Sequence, residues 1–154
     1  MSKKATAADA ELILKLYDLR REAEMRKARN WWAVNFWPEN ADDFIKIAMD
    51  MGSQQSAWLR QVSGYWNMAA SLALAGAINQ ELFLEPNSSG EMYFVFAKIR
   101  PFLKQLRQKL ESPEMFAPVE KLIDSSKKSR EFLKSMETRI AARRKMMTEV
   151  AKAS

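Results

Sequence analysis

The chain has 154 residues, no Cys, no His and a formal charge of +6. Without thiol or imidazole there is no disulfide framework, no Ser-His-Asp triad, no zinc site built on nitrogen or sulfur and no Glu-x-x-His di-iron centre. The chain is therefore expected not to be an enzyme and to hold no metal or cofactor.

Thr6 and Asp9 read as an N-cap pair, and Leu12, Ile13, Leu16, Tyr17 and Leu19 continue as an apolar stripe at helical spacing. Glu11, Lys15 and Asp18 interrupt that stripe, so it is not the apolar region of a signal peptide, and a cytoplasmic location is expected. A second run, Met25, Ala28, Trp32 and Phe36, must stop before Pro38, which pushes Trp37 out of the α region. Periodicity alone leaves open whether residues 7–37 form one helix or two. Asn40 with Asp43 opens a third segment through Phe44, Ile45, Ile47, Ala48 and Met51, closed by Gly52.

Residues 61–80, QVSGYWNMAASLALAGAINQ, carry no charge. Polar residues are spread through them and Gly64 and Gly76 interrupt them, which does not suit a lipid-facing span. A helix with no charged side is expected inside a bundle. This predicts a central helix capped by Ser53 and running over residues 54–84, with Trp58, Val62, Tyr65, Ala69, Leu72 and Gly76 on one face and Leu59, Trp66, Ala70, Leu74 and Ile78 on another.

Residues 85–90, EPNSSG, read as a loop. Met92 to Phe96 fits a strand or a helix. Val95, Ile99, Phe102, Leu103, Leu106 and Leu110 mark a helix kinked at Pro101, and Ser112-Pro113 restarts the chain before a short segment around Pro118. A last helix reaches about Val150, with Leu133, Met136, Ile140, Arg143, Met147 and Val150 spaced as a docking seam. The expectation is an all-α, single-domain bundle of five to six helices around the central one, spanning residues 1–154 with flexible ends at 1–6 and 151–154.

The residues support three functional readings. Elimination of the usual catalytic groups favours a non-enzymatic interaction or scaffold protein that takes a protein partner or a second copy of itself. The segment Ile47 to Ser63 has the spacing of a helix-turn-helix, with Gln54, Gln55, Ser56 and Arg60 set to meet DNA. Against it, Ser53 and Gln61 stand where that motif wants apolar residues. Residues 1–97 also carry 10 basic and 12 acidic side chains, a poor platform for phosphates. Residues 98–154 carry 15 basic and 7 acidic side chains, and Arg139, Arg143, Arg144 and Lys145 beside Met136, Ile140, Met146 and Met147 suit an anionic membrane surface or an acidic partner.

Other patterns are weaker. Arg20, Arg21, Arg26, Lys27 and Arg29 beside Trp31, Trp32 and Trp37 would suit single-stranded nucleic acid, but interleaved Glu22 and Glu24 suit a solvated helix face better. Ser125-Ser126-Lys127-Lys128 matches the Ser-x-x-Lys expression without its partner motifs. Asp42, Asp43, Asp50, Glu81, Glu85 and Glu91 lack the spacing of a cation loop.

The stretch VSGYWNMAASLALAGAINQELFLEPNSSGEMYFVFAKIRPFLKQLR resembles the middle of an uncharacterised family of helical bacterial domains. There, an aromatic-rich helix ends at a Gly followed by Ile and an acidic pair, and a second helix carries an aromatic, a Pro and a basic residue. The matching positions are Tyr65, Trp66, Leu72, Gly76, Ile78, Glu81, Phe94, Ile99, Pro101 and Arg107, with Asn79-Gln80 in place of acidic residues. The resemblance covers the middle third and implies helices, with no activity attached.

Overall fold

The computed structural model describes residues 3–154, and every regular element among them is helical. Helix α1 (Ala7–Arg20) starts on a capping box: Thr6 Oγ1 accepts from the Asp9 amide at 3.3 Å, and the Asp9 carboxylate accepts from the Thr6 amide at 2.7 Å. The hydrogen bonds from Thr6 hold the Asp9 carboxyl below its usual range. A break at Arg21 and Glu22 separates it from α2 (Ala23–Val34), where the Glu22 carboxylate accepts from the amides of Glu24 and Met25. Residues 7–37 are thus two helices. Asn40 caps α3 (Ala41–Met49), and Ser53 caps α4 (Gln54–Leu74).

Helix α4 stops ten residues short of the expected end at Leu84. Gly76 adopts φ +82°, its amide donates to the Ala73 carbonyl at 3.1 Å, and the Ala77 amide donates to the Leu72 carbonyl at 3.0 Å. This is a Schellman stop, so Gly76 is the residue after the C-cap and not a position on a helix face. The chain then forms α5 (Gln80–Phe83) and α6 (Pro86–Ile99). The expected loop at residues 85–90 is the first turn of α6, with Pro86 inside its start and a kink at Ser89 (φ −135°, ψ 25°). Met92 to Phe96 is helical.

Pro101 cannot donate to the helix ladder, and a 3-10 turn at Arg100–Phe102 carries the chain into α7 (Leu103–Lys109). Glu111, at φ 50°, closes α7 as Gly76 closes α4: its amide donates to Gln108 and that of Ser112 to Arg107. The restart falls later than Ser112-Pro113, at Phe116 (φ 58°) before α8 (Ala117–Asp124). Ser126 caps α9 (Lys127–Ala153), a rod of roughly 40 Å that passes the expected end at Val150.

Helices α2, α3 and α8 pack on α4, while α9 packs on α6 and α8. Helix α4, whose only charge is Arg60, is not enclosed on all sides. Leu59, Val62, Trp66, Ala69, Ala70 and Ala73 face inward, whereas Gln61, Gly64, Met68 and Leu72 face solvent. The most enclosed stretch is instead in α6, where Met92, Tyr93, Val95, Phe96, Ala97, Lys98 and Ile99 are all buried. Trp66 and Ile78 are core residues as expected, and Leu74 packs at the margin.

A Cβ on Gly76 would meet no atom within 4 Å, so only its left-handed backbone resists substitution. Gly76→Ala is expected to cost about 1–2 kcal/mol. Urea denaturation should show a lower midpoint with an unchanged slope.

Candidate partner surface along the last helix

Lys98 has no solvent-exposed surface. Its ammonium donates to the Trp32 carbonyl and, at 2.7 Å, to the Phe36 carbonyl. It lies 3.7 Å from the centre of the Trp37 ring and 4.5 Å from that of Phe94. The last carbonyls of α2 have no partner in their own helix and form its negative end. The ammonium has three donors, so two carbonyls and a ring face satisfy it. Burial, reinforced by Arg144 and Arg143, pushes its pKa down to about 7.

One turn beyond Ile140, Arg144 clamps the same corner from outside. Its guanidinium donates to the Trp37 carbonyl at 3.3 Å and the Pro38 carbonyl at 2.7 Å, and sits 5.5 Å from the Trp37 ring centre. Burial holds the Arg144 pKa below its ordinary value, while Glu39 and Asp43 oppose that shift. Arg144, expected on a partner surface, is therefore a packing residue, because the bend before Pro38 leaves carbonyls that need a donor. Arg139, Arg143 and Lys145 remain exposed, and none has an acidic partner among the described residues.

The docking seam also ends sooner than its spacing predicts. Leu133 and Ile140 are buried and Met136 is half-buried, but Arg143, Met147 and Val150 are exposed. Every residue from Lys145 to Ser154 is exposed, with Met146 at 62% and Val150 at 69%. Beside this overhang, α2, α6 and α9 frame a cleft of about 390 Å³ floored by Trp37, Phe94, Met136 and Ile140 and edged by Val34, Arg139 and Arg143.

The helix-turn-helix residues divide. Gln54, Gln55 and Arg60 are exposed on α4 after the turn at residues 50–53. Ser56 is buried with its hydroxyl donating to the Ala48 carbonyl at 3.3 Å, so it locks α3 to α4 and is not available to a base edge. The arginine–tryptophan cluster also divides: Arg21, Arg26 and Lys27 are exposed, while Arg20, Trp31 and Trp32 are buried. Arg20 is buried 4.9 Å from the Trp66 ring centre, Arg29 pairs with Glu91 at 2.6 Å, and the Trp66 indole donates to the same carboxylate at 3.0 Å. Asp42 pairs with Lys109 and Glu85 with Lys128, and no group of three or more acidic side chains among the described residues is placed to hold a metal.

Sequence reasoning missed Lys98 and the Trp37–Phe94 wall. The signal was present: Lys98 is the single charge in MYFVFAKI, four residues after Phe94, where the rest of the run has no solvated side.

A family model described as a domain of unknown function, DUF4760, matches residues 5–126, and the chain belongs to that family. The match reaches well beyond the middle third on which the resemblance rested. No curated protein and no solved structure matches the chain. Among the described residues no helix is long and apolar enough to cross a membrane.

The Lys98 pKa of about 7 lies below the 10.5 of a free lysine, so between those values the unfolded chain binds more protons and stability rises with pH. Relative to Lys98→Met, the wild-type unfolding free energy should climb from pH 7 toward 10, by at most about 1.4 kcal/mol per pH unit. A difference that stays flat would show an ordinary lysine. Arg144→Ala, which orphans two carbonyls, should cost about 1–3 kcal/mol by denaturant unfolding.

Proposed function

We propose that this member of the DUF4760 family is a non-catalytic interaction module whose handle is the free end of α9 and whose partner is an acidic protein segment. The overhang carries this reading. A helical tail of this length is marginal in water on its own, and its apolar side chains gain nothing from the bundle. Met146, Met147 and Val150 offer an adaptable apolar ridge, and Arg143, Lys145 and Lys152 flank it against a single acid, Glu149.

Catalysis is the weaker reading because the buried lysine has its donors engaged and the chain has no imidazole or thiol. DNA binding is weaker too, since Ser56 is occupied within the fold and Asp42, Asp43 and Asp50 lie exposed on α3 and the turn after it. Self-association is one form of the proposed contact, because residues 1–97 are net acidic. Light scattering of the full chain separates it from binding to another protein.

The test compares the full chain with one ending at Arg144, which keeps the contacts to Trp37 and Pro38. Both should unfold at the same denaturant midpoint. Titration with an acidic amphipathic helical peptide should shift amide resonances within residues 143–153 of the full chain only, weaken with added salt, and lose at least tenfold in affinity in Met147→Glu/Val150→Glu. Shifts confined to other helices, or an equal response from the shortened chain, would refute the proposal. A response to phosphatidylglycerol vesicles alone would replace the protein partner with a membrane surface.

A further inference from the structure

We propose that the cleft between α2, α6 and α9 is a binding site for an anionic amphiphile, a medium-length apolar chain ending in a carboxylate or phosphate. At about 390 Å³ it falls in the range of small-ligand pockets, and its walls come from three separate helical elements. Its floor of Trp37, Phe94, Met136 and Ile140 suits an apolar body. Its edge suits an anion: Arg139 and Arg143 stand one helical turn apart on the same face of α9, both exposed and without an acidic partner among the described residues.

The ground beneath the floor is positive as well. The Lys98 ammonium lies against the Trp37 and Phe94 rings, and no carboxylate among the described residues contacts it. An anion at the lip therefore meets two free guanidinium groups, which carry the head-group contact, with the Lys98 amine behind the aromatic wall adding positive charge when protonated. A neutral chain of the same length would find the same floor and lose the head-group contacts. That difference sets the specificity.

The site shares Arg143 with the proposed handle but uses no residue after it, so a chain ending at Arg144 keeps it. Decanoate, with decanol as the uncharged control, serves as the probe in calorimetric titration. Decanoate should bind at least tenfold more tightly than decanol to both the full and the shortened chain. Arg139→Ala/Arg143→Ala, at exposed positions that leave the fold intact by circular dichroism, should bring decanoate down to the level of decanol. Val34→Glu, which adds a like charge at the lip, should do the same, whereas Arg130→Ala/Lys134→Ala on a distant part of α9 should change nothing.

Decyl phosphate and phosphatidylglycerol vesicles distinguish a free ligand from a lipid in a bilayer, and decyl phosphate should behave as decanoate does. Equal binding of decanoate and decanol, equal loss in the distant double variant, or a response to vesicles with none to either free anion would each overturn the proposal.

Discussion

A buried ammonium holds together the corner on which the candidate surface stands. Leaving Lys98 unpaired in the interior would cost far more than any single apolar contact returns, so its neighbours are constrained to meet it. The last turn of α2 supplies the Trp32 carbonyl, which its own helix leaves without a donor, the bend after it supplies that of Phe36, and Trp37 and Phe94 supply ring faces. One interaction thus satisfies two otherwise unsatisfied partners and ties the chain at the end of α2 to α6. Arg144 completes it from α9 by taking the next carbonyls along the same bend. The same two rings line the cleft, together with Met136 and Ile140 of α9.

This corner also explains why α9 outruns the bundle. The helix is held through Leu133, Ile140 and Arg144, and beyond Arg144 every one of its side chains is exposed. The apolar spacing continues to Met147 and Val150 without a surface beneath it. A pattern of that kind encodes a contact face whether or not its partner lies in the same chain. Here no described residue covers the last turns, so the packing seam ends at Arg144, and the handle proposed above rests on the turns beyond it.

Much of the architecture was legible in local chemistry. Thr6 with Asp9, Asn40 with Asp43, and Ser53 act at the helix starts where their side-chain oxygens predict, because a cap is settled within a few residues. Stops were harder to read. Gly76 lies inside an apolar run that helical periodicity would carry onward, and only its left-handed backbone ends α4 there. Glu111 and Phe116 take left-handed conformations that their side chains do not advertise, so the turns around them could not be foreseen from composition. At the candidate surface, Arg139, Arg143 and Lys145 were legible as exposed cations, but Arg144 was not distinguishable from them.

By itself, then, the amino-acid order determined that the chain is helical, where α1, α3 and α4 begin, and that its basic charge lies toward the carboxyl end, because these depend on contacts a few residues apart. Burial was decided only in the folded molecule. The uncharged stretch of α4 after Arg60 shows one side to water, while α6, which contains a lysine, is the most enclosed helix. Absence of charge permits burial without requiring it, and a charge is admitted to the interior once distant residues bring acceptors and ring faces to it. Phe94 stands one turn away in α6, but both acceptors and the Trp37 ring come from the end of α2 and the bend after it, more than sixty positions away along the chain, and no local pattern records that distance.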